Sequence, residues 1–259
     1  MKPDGFDMGK AIFLAAVCSQ TYMQFSQNGA FIVPTDYSPV GSFTAESLGG
    51  GRELFGFILE SERDAIVAFR GTSTTEDWIT DAMVAQVDYK WVKQGGLVHR
   101  GFARVYGSAR EQILAALNRM QGDKPLTITG HSLGGALAVL CAPDVSANSR
   151  FRLPCVYTYG APRAGDPAYA KTFGSRAGAS FRVQNVYDAV PHLPPFIMKL
   201  PRRGKVYYYS HVRREAPLDF QNGSVSANHV ISSYFNDLAG KDPAYAKRMC
   251  ARNPGFCPA

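Results

Sequence analysis

The chain has 259 residues, of which 46% are hydrophobic and 19% charged, and its formal net charge is +7. This composition is typical of a globular protein that buries a sizeable core, and it excludes a largely disordered chain. No break in composition divides the chain, so we expect a single domain over residues 1–259, with a C-terminal tail at 240–259. The positive charge favours anionic surfaces without choosing among them.

The N-terminal part predicts a helix followed by a β-hairpin. The apolar run at 11–18 fits a buried amphipathic helix over about 9–25 better than a signal peptide, because Asp4 and Asp7 interrupt a basic leader. No stretch is long enough to cross a membrane, and a cytoplasmic location is expected over a secreted one. Two strand-like runs between residues 54 and 69 are predicted to form a hairpin that joins the central sheet.

Beyond the hairpin, predicted helices and strands alternate. The helices fall at 74–84, 101–120 and 228–238, a strand and a helix share 126–142, and further strands fall at 155–159 and 181–187. This alternation predicts an α/β fold with a mostly parallel central sheet flanked by helices. The runs 206–212 and 216–220 predict an antiparallel pair at one edge of that sheet.

The segment 126–142, LTITGHSLGGALAVLCA, predicts a nucleophile elbow. It reads as a buried strand, a sharp turn at Ser132 and a helix of small residues. Gly130 and Gly134 flank the serine, and a strained strand-to-helix turn requires small residues at those two positions. The helix N-terminus that follows directs free amides towards the reacting oxygen, which makes the Leu133 amide the first oxyanion donor.

A serine nucleophile needs a general base, and the base needs a carboxylate that orients it. In hydrolases of this layout the acid follows the serine in the chain, and the histidine follows the acid. Asp188 comes directly after the predicted strand at 181–187, where catalytic groups of open parallel sheets collect. It is the first candidate for the acid, and Asp166 is a distant second.

His229 is the candidate base because it lies where a loop enters the last predicted helix, downstream of the acid. The other four histidines receive structural roles. His192 is expected to brace the acid loop, His211 to lie within a strand, and His99 and His131 to be packed structural residues.

The second oxyanion donor should come from the loop after an early strand. The residues Gly71 and Thr72 provide that loop, and Thr72 can donate its backbone amide and its hydroxyl. Hydrolysis by such a site requires neither a metal nor an organic cofactor, and none is expected.

Six segments together resemble the fungal-type, or class 3, triacylglycerol lipases of the α/β-hydrolase fold. They are AFRGTSTTEDW, VHRGF, GHSLGGALA, TYGAPRAGD, NVYDAVPHLPP and NHVISSYF, in that order along the chain. The resemblance implies Ser132 as nucleophile, Asp188 as acid and His229 as base. It also implies Thr72 and Leu133 as oxyanion donors, in agreement with the assignment from the residues themselves.

Two surface elements follow from the resemblance and from local composition. In such lipases a lid follows the oxyanion residue, and here Trp78 and Ile79 would belong either to a mobile flap or to a fixed short helix. Next to the acid loop stand four large apolar residues, which are candidates for contact with a lipid interface or for walls of the acyl pocket. These four are Phe196, Ile197, Met198 and Leu200.

The sequence therefore predicts a serine lipase that hydrolyses acylglycerol esters and contacts a lipid surface peripherally. A phospholipase A1, a soluble carboxylesterase and a non-catalytic lipase-like interaction module remain alternatives. No nucleic-acid partner is expected, and the oligomeric state stays open. Of the five cysteines, Cys250 and Cys257 bracket a turn and are placed to pair, but the sequence leaves that pairing undecided.

Overall fold

The computed structural model describes residues 3–72, 85–120, 123–200, 204–212 and 214–258. The helices are α1 (Met8–Ser26), α2 (Arg100–Arg119), α3 (Leu133–Asn148), α4 (Pro167–Arg176), α5 (Ile231–Lys241) and α6 (Pro243–Arg252). The strands are β1 (Ser38–Glu46), β2 (Arg52–Glu60), β3 (Ala65–Phe69), β4 (Gln86–Asp88), β5 (Leu97–His99), β6 (Leu126–His131), β7 (Cys155–Tyr159), β8 (Ser180–Asn185), β9 (Ile197–Leu200), β10 (Lys205–Tyr208) and β11 (Glu215–Leu218).

Seven strands form the central sheet in the order β1-β2-β3-β6-β7-β8-β11. From β3 to β11 all neighbouring strands are parallel, and β2 pairs antiparallel with both β1 and β3. The predicted α/β architecture with a mostly parallel sheet and an antiparallel edge is confirmed. Parallel strands end on the same side, so the loops after β3, β6, β7 and β8 meet at one edge of the sheet.

The predicted antiparallel pair of 206–212 and 216–220 is wrong. β10 pairs instead with β9 in a separate two-stranded hairpin, and β11 joins the central sheet parallel to β8. The side chain of Arg182 explains the difference, because its Nε donates to the Val212 carbonyl at 2.8 Å and its Nη2 to Glu215 at 3.1 Å. These bonds join Val212 and Glu215 to β8.

Helices cover both faces of the sheet. One core cluster contains buried residues of α2 and α3, and a second contains buried residues of α1, α5 and α6. Most of the run Ala11–Cys18 of α1 is buried, because the sheet lies on one side of it and α5 and α6 on the other. No helix in the described ranges is both long and apolar enough to span a bilayer.

The C-terminal segment is ordered as α6 and packs against α1 and α5. Asp242 caps this helix by accepting from the Tyr245 amide at 3.1 Å. The cysteine pairing that the sequence left open is present, since Cys250 at the end of α6 forms a disulfide with Cys257. The disulfide closes the short turn that follows α6. This turn contains Phe256, which is fully buried in the second core cluster.

Candidate active site

Ser132 occupies a strained turn between β6 and α3. Its φ of 56° and ψ of −129° are unusual for a residue with a side chain. A Cβ at Gly130 would lie 2.2 Å from the Gly134 carbonyl oxygen, and one at Gly134 would lie 2.3 Å from the carbonyl oxygen of Phe69. Only glycine fits at both positions, which is why the turn can form.

Three side chains from three separate loops meet at this turn. The Ser132 hydroxyl lies 2.8 Å from His229 Nε2, and His229 Nδ1 lies 2.7 Å from Asp188 Oδ2. All three residues are buried. Because a carboxylate only accepts, His229 Nδ1 carries the proton and Nε2 is free to accept the serine proton. The structure thus brings together the serine, the acid and the base that the sequence predicted as candidates.

Asp188 receives two further hydrogen bonds. The hydroxyl of Tyr234 in α5 donates to Asp188 Oδ2 at 2.6 Å, and the Val190 amide donates to Oδ1 at 2.9 Å. Burial and the neighbouring carboxylate raise the pKa of Tyr234 well above its usual value, so it stays a neutral donor. Sequence reasoning missed Tyr234, because a tyrosine five residues after His229 carries no local signal of this contact.

The loop after β3 brings Thr72 to the same edge of the sheet. Gly71 precedes it, and a Cβ at Gly71 would lie 3.1 Å from the Cβ of Ser132, so this loop runs directly beside the elbow. Thr72 Oγ1 is buried and has no hydrogen-bond partner within the described part of the chain. Leu133 begins α3, where backbone amides lack a partner in a preceding helical turn.

The other predicted polar residues lie apart from the serine. Asp166 caps α4 by accepting from the Tyr169 amide at 2.7 Å, so it serves the helix. His192 is exposed, and His211 instead holds the acid loop through its Nε2, 2.7 Å from the Pro191 carbonyl oxygen. His211 also lies beyond the end of β10, not within a strand. Burial lowers the pKa of His99 to about 3, which fits a neutral structural residue.

The predicted lipid-contact residues separate into two groups. Phe196 and Ile197 are about half exposed, at 54% and 50%, whereas Met198 is partly buried on the opposite face of β9. Leu200 closes β9, and its backbone pairs with Lys205. The lid candidates Trp78 and Ile79 lie outside the described residues.

No group of histidine, cysteine or acidic side chains within the described ranges is arranged to hold a metal ion. At Ser132 the structure brings together a hydroxyl, an imidazole and a carboxylate that are linked by hydrogen bonds. Those are the parts needed for acyl transfer through a serine ester.

Residues 66–198, just over half of the chain, match the family model described as "Lipase (class 3)". The chain belongs to the class 3 lipase family. It is 36% identical to a lipase of Rhizomucor miehei over 159 residues, which are 58% of this chain and 42% of that protein. It is also 30% identical over 211 residues to phospholipase A1 EG1 of Oryza sativa subsp. indica, covering 70% of this chain and 48% of that protein.

The fold agrees with this membership. The structure of the Rhizomucor miehei triacylglyceride lipase superposes with a TM-score of 0.68 at 25% identity, covering 84% of this chain and 82% of that one. In the sequence alignments, however, this class 3 lipase covers less than half of the length of the Rhizomucor lipase and of the Oryza phospholipase A1.

Proposed function

We propose that this chain hydrolyses carboxylic esters of acylglycerols through a serine acyl-enzyme. The observation that carries the proposal is the continuous line of hydrogen bonds from Ser132 through His229 to Asp188. His229 Nε2 removes the hydroxyl proton as Ser132 Oγ attacks the ester carbonyl carbon. The protonated imidazole then gives that proton to the departing alcohol, and water attacks the acyl-enzyme by the same route in reverse roles.

Two groups are proposed to stabilise the negative charge that forms on the carbonyl oxygen. Leu133 begins α3, and its position at the positive end of the helix dipole supports this role for its amide. Thr72 supplies its backbone amide and its hydroxyl, and the buried, unpartnered Oγ1 supports this role. Asp188 holds the imidazole in the required tautomer and stabilises its cation.

The direct test compares wild type with Ser132→Ala on two substrates. Hydrolysis of trioctanoin and of p-nitrophenyl butyrate is measured. The concentration of each substrate is raised from below its solubility limit, where it is dissolved, to above that limit, where it forms an emulsion. Activity that depends on Ser132 and rises when the emulsion forms supports a lipase that works at an interface. Ser132-dependent turnover of the dissolved ester alone would instead indicate a carboxylesterase, and Ser132-independent turnover would refute the mechanism.

Phospholipase A1 activity is the second candidate function. The specific observation behind it is that the match to the Oryza phospholipase A1 extends over 211 residues, against 159 for the Rhizomucor lipase. The same triad attacks either an acylglycerol ester or the sn-1 ester of a phospholipid, so the catalytic geometry does not separate them. Release of fatty acid from phosphatidylcholine vesicles, compared with release from trioctanoin, separates the two.

The partner we propose for the surface beside the site is an anionic lipid layer. Ile197 faces Tyr208 across the β9–β10 hairpin, and Lys199 faces Val206. Side chains alternate along a strand, so these four share one face. Eight of the twelve large hydrophobic side chains exposed in the described part of the chain lie between residues 186 and 230. Apolar groups next to lysines fit insertion into an acidic membrane surface.

Vesicle binding tests this surface separately from catalysis. In the inactive Ser132→Ala background, Ile197→Asp should weaken sedimentation with vesicles of phosphatidylglycerol and phosphatidylcholine at least about tenfold, because it removes an inserted apolar group. Met198→Asp is not a fair control because that side chain is partly buried, so Leu153→Asp, which is exposed elsewhere, serves instead. Equal vesicle binding by Ile197→Asp and Leu153→Asp would show that the β9–β10 hairpin does not contact the lipid.

For location, we propose an oxidising compartment in place of the expected cytoplasmic one. The disulfide between Cys250 and Cys257 supports this, because such bonds persist mainly outside reducing compartments. Cys18 and Cys141 are buried free thiols and Cys155 is partly buried. Protein isolated from its native source and denatured without reductant should show three reactive thiols. Five reactive thiols would contradict the proposal and indicate a reducing compartment.

A further inference from the structure

His131, the residue before the nucleophile, contacts the base loop directly. Its Nε2 lies 2.6 Å from the backbone carbonyl oxygen of His229, and the two imidazole rings lie 4.7 Å apart. A carbonyl oxygen only accepts, so Nε2 carries the proton and Nδ1 is left as an acceptor. Burial and the neighbouring His229 lower the pKa of His131 well below its usual value, so the ring stays neutral.

The acceptor nitrogen of His131 is filled by a tyrosine from the first helix. Tyr22 Oη in α1 lies 2.7 Å from His131 Nδ1 and donates its proton there. The same oxygen packs closely against Gly71, which immediately precedes Thr72. A Cβ at Gly71 would lie only 2.2 Å from Tyr22 Oη, so the absent side chain is what lets the hydroxyl reach the loop.

These contacts form one directed line of hydrogen bonds. It runs from the Tyr22 hydroxyl, which packs against Gly71, to His131 Nδ1, and from His131 Nε2 to the His229 carbonyl. At one end stands the loop of the oxyanion donor, at the other the loop of the base, and Ser132 follows His131 in the chain. Each donor has one acceptor, so the line fixes the tautomer of His131.

We propose that Tyr22 and His131 are positioning residues that set the distance between the oxyanion donor and the base. Neither touches the reacting atoms, and both act through the loops they hold. The proposal rests on the proposed serine mechanism. Its physical basis is that a displacement of about 1 Å in a catalytic group costs roughly a hundredfold in rate. Without the Tyr22 proton, His131 can adopt the other tautomer, which turns a lone pair towards the His229 carbonyl.

Tyr22→Phe removes one hydroxyl and tests the link on dissolved p-nitrophenyl butyrate. We expect kcat to fall about ten- to a hundredfold with KM unchanged, because the loops shift relative to each other while the binding surface stays intact. The matched control is Tyr169→Phe, which removes another buried tyrosine hydroxyl, one that donates to the Val139 carbonyl at 2.8 Å. It should lower Tm by a similar amount and leave kcat unchanged.

Substitutions of His131 give a second readout. The amide nitrogen of glutamine can occupy the place of Nε2, whereas asparagine reaches only the place of Nδ1. His131→Gln should therefore retain more kcat than His131→Asn at equal Tm. Tyr22→Phe combined with His131→Gln should cost less than the sum of the two single changes, since both act on one line of hydrogen bonds.

Ser132→Ala run in parallel separates the two levels of the account. If Ser132→Ala is inactive and Tyr22→Phe keeps full kcat, the positioning link is refuted while the serine mechanism stands. If Ser132→Ala stays active, the serine mechanism itself is refuted. Nitrogen NMR of the His131 ring should show the Nε2–H tautomer in wild type, and an Nδ1–H tautomer would overturn the proposed direction of the hydrogen bonds.

Discussion

Two aspartates are buried among the residues that the structure describes, and their surroundings differ. Asp144 in α3 accepts from Tyr106 Oη at 2.6 Å, from Arg110 Nε at 2.6 Å and Nη2 at 3.0 Å, and from Asn148 at 2.7 Å. Its charge is neutralised by a fixed guanidinium. Asp188 accepts from Tyr234, from the Val190 amide and from His229, and none of its described hydrogen-bond partners is a lysine or arginine.

The difference separates Asp144, whose charge is already paired, from Asp188, whose charge is not paired with a lysine or arginine. An ion pair that is complete in the resting protein holds two helices together and leaves nothing for a reaction to use. A buried carboxylate held by neutral donors keeps its charge available to an imidazolium that forms in the transition state. Burial and residue type alone therefore do not distinguish Asp188 from Asp144; the charge of their partners does.

The largest expected effect is the loss of activity on substitution of Asp188. Asp188→Asn should lower kcat on p-nitrophenyl butyrate about 10⁴-fold, because the amide cannot hold His229 in its catalytic tautomer. The fold should persist, since asparagine still accepts from Val190 and is similar in size. Steady-state kinetics and Tm measured on the same preparation check both parts, and a loss below about tenfold would contradict the assignment of the acid.

The opposite pattern is expected at the structural aspartate. Asp144→Asn should destabilise the protein by about 3 kcal/mol, because it removes the buried carboxylate that pairs with Arg110 and leaves the guanidinium only the exposed Glu111, while kcat of the folded protein stays near wild type. Urea unfolding gives the free energy and initial rates give kcat. If Asp144→Asn lowers kcat as strongly as Asp188→Asn does, the distinction between the two carboxylates fails.

A smaller effect is expected at the unpartnered hydroxyl of Thr72. Thr72→Val keeps the backbone amide and the shape, and it should lower kcat about a hundredfold if the hydroxyl stabilises the oxyanion. Thr72→Ser, which restores a hydroxyl, should return kcat to within a few-fold of wild type. Wild-type kcat in the valine variant would assign the donor role to the backbone amide alone.

The smallest effect concerns two neutral histidines, the buried His99 and the partly buried His211. Burial lowers the pKa of His99 and of His211 to about 3 in the folded protein, against about 6.5 in an unfolded chain. The unfolded chain therefore binds more protons below pH 6.5, so stability is full above that pH and falls as pH drops towards 3. Between pH 7 and pH 5.5, each of the two histidines should lower the free energy of unfolding by about 1 kcal/mol.

Urea unfolding at the two pH values measures this loss. His211→Gln should reduce the pH dependence by about 1 kcal/mol relative to wild type, because one buried titrating group is removed. His192→Gln is the matched control, since it removes an exposed histidine in place of a partly buried one. Identical pH dependence in wild type and in His211→Gln would show that His211 is not held neutral by burial.

The sequence predicted those parts of the site that carry a local constraint. Ser132 is a candidate because a strained elbow demands glycines around it, and Asp188 and His229 are candidates because chain order and strand ends limit their positions; the structure brings these three side chains together. Tyr22 and Tyr234 carry no such constraint: each reaches the site through tertiary packing of a helix, and any buried tyrosine pattern would look the same. His131 was correctly placed beside the nucleophile, but its two hydrogen-bond partners are distant in sequence.

The same reasoning explains the errors in the fold. The short gap between 206–212 and 216–220 is typical of a hairpin turn, and no local signal reveals that Arg182 in β8 donates to the Val212 carbonyl. Strand β1 was not predicted because Pro39 and Gly41 interrupt its pattern, although its backbone pairs along β2 with a bulge. Long-range pairing decided both outcomes.

The central claim is that Ser132 is the nucleophile, and active-site titration with a p-nitrophenyl alkylphosphonate tests it most directly. The account predicts release of about one p-nitrophenol per chain and a phosphonyl adduct located on Ser132 by peptide mass spectrometry. Ser132→Ala should release none, and Asp188→Asn should react far more slowly at the same serine. An adduct on another residue, or equal release by Ser132→Ala, would contradict the account.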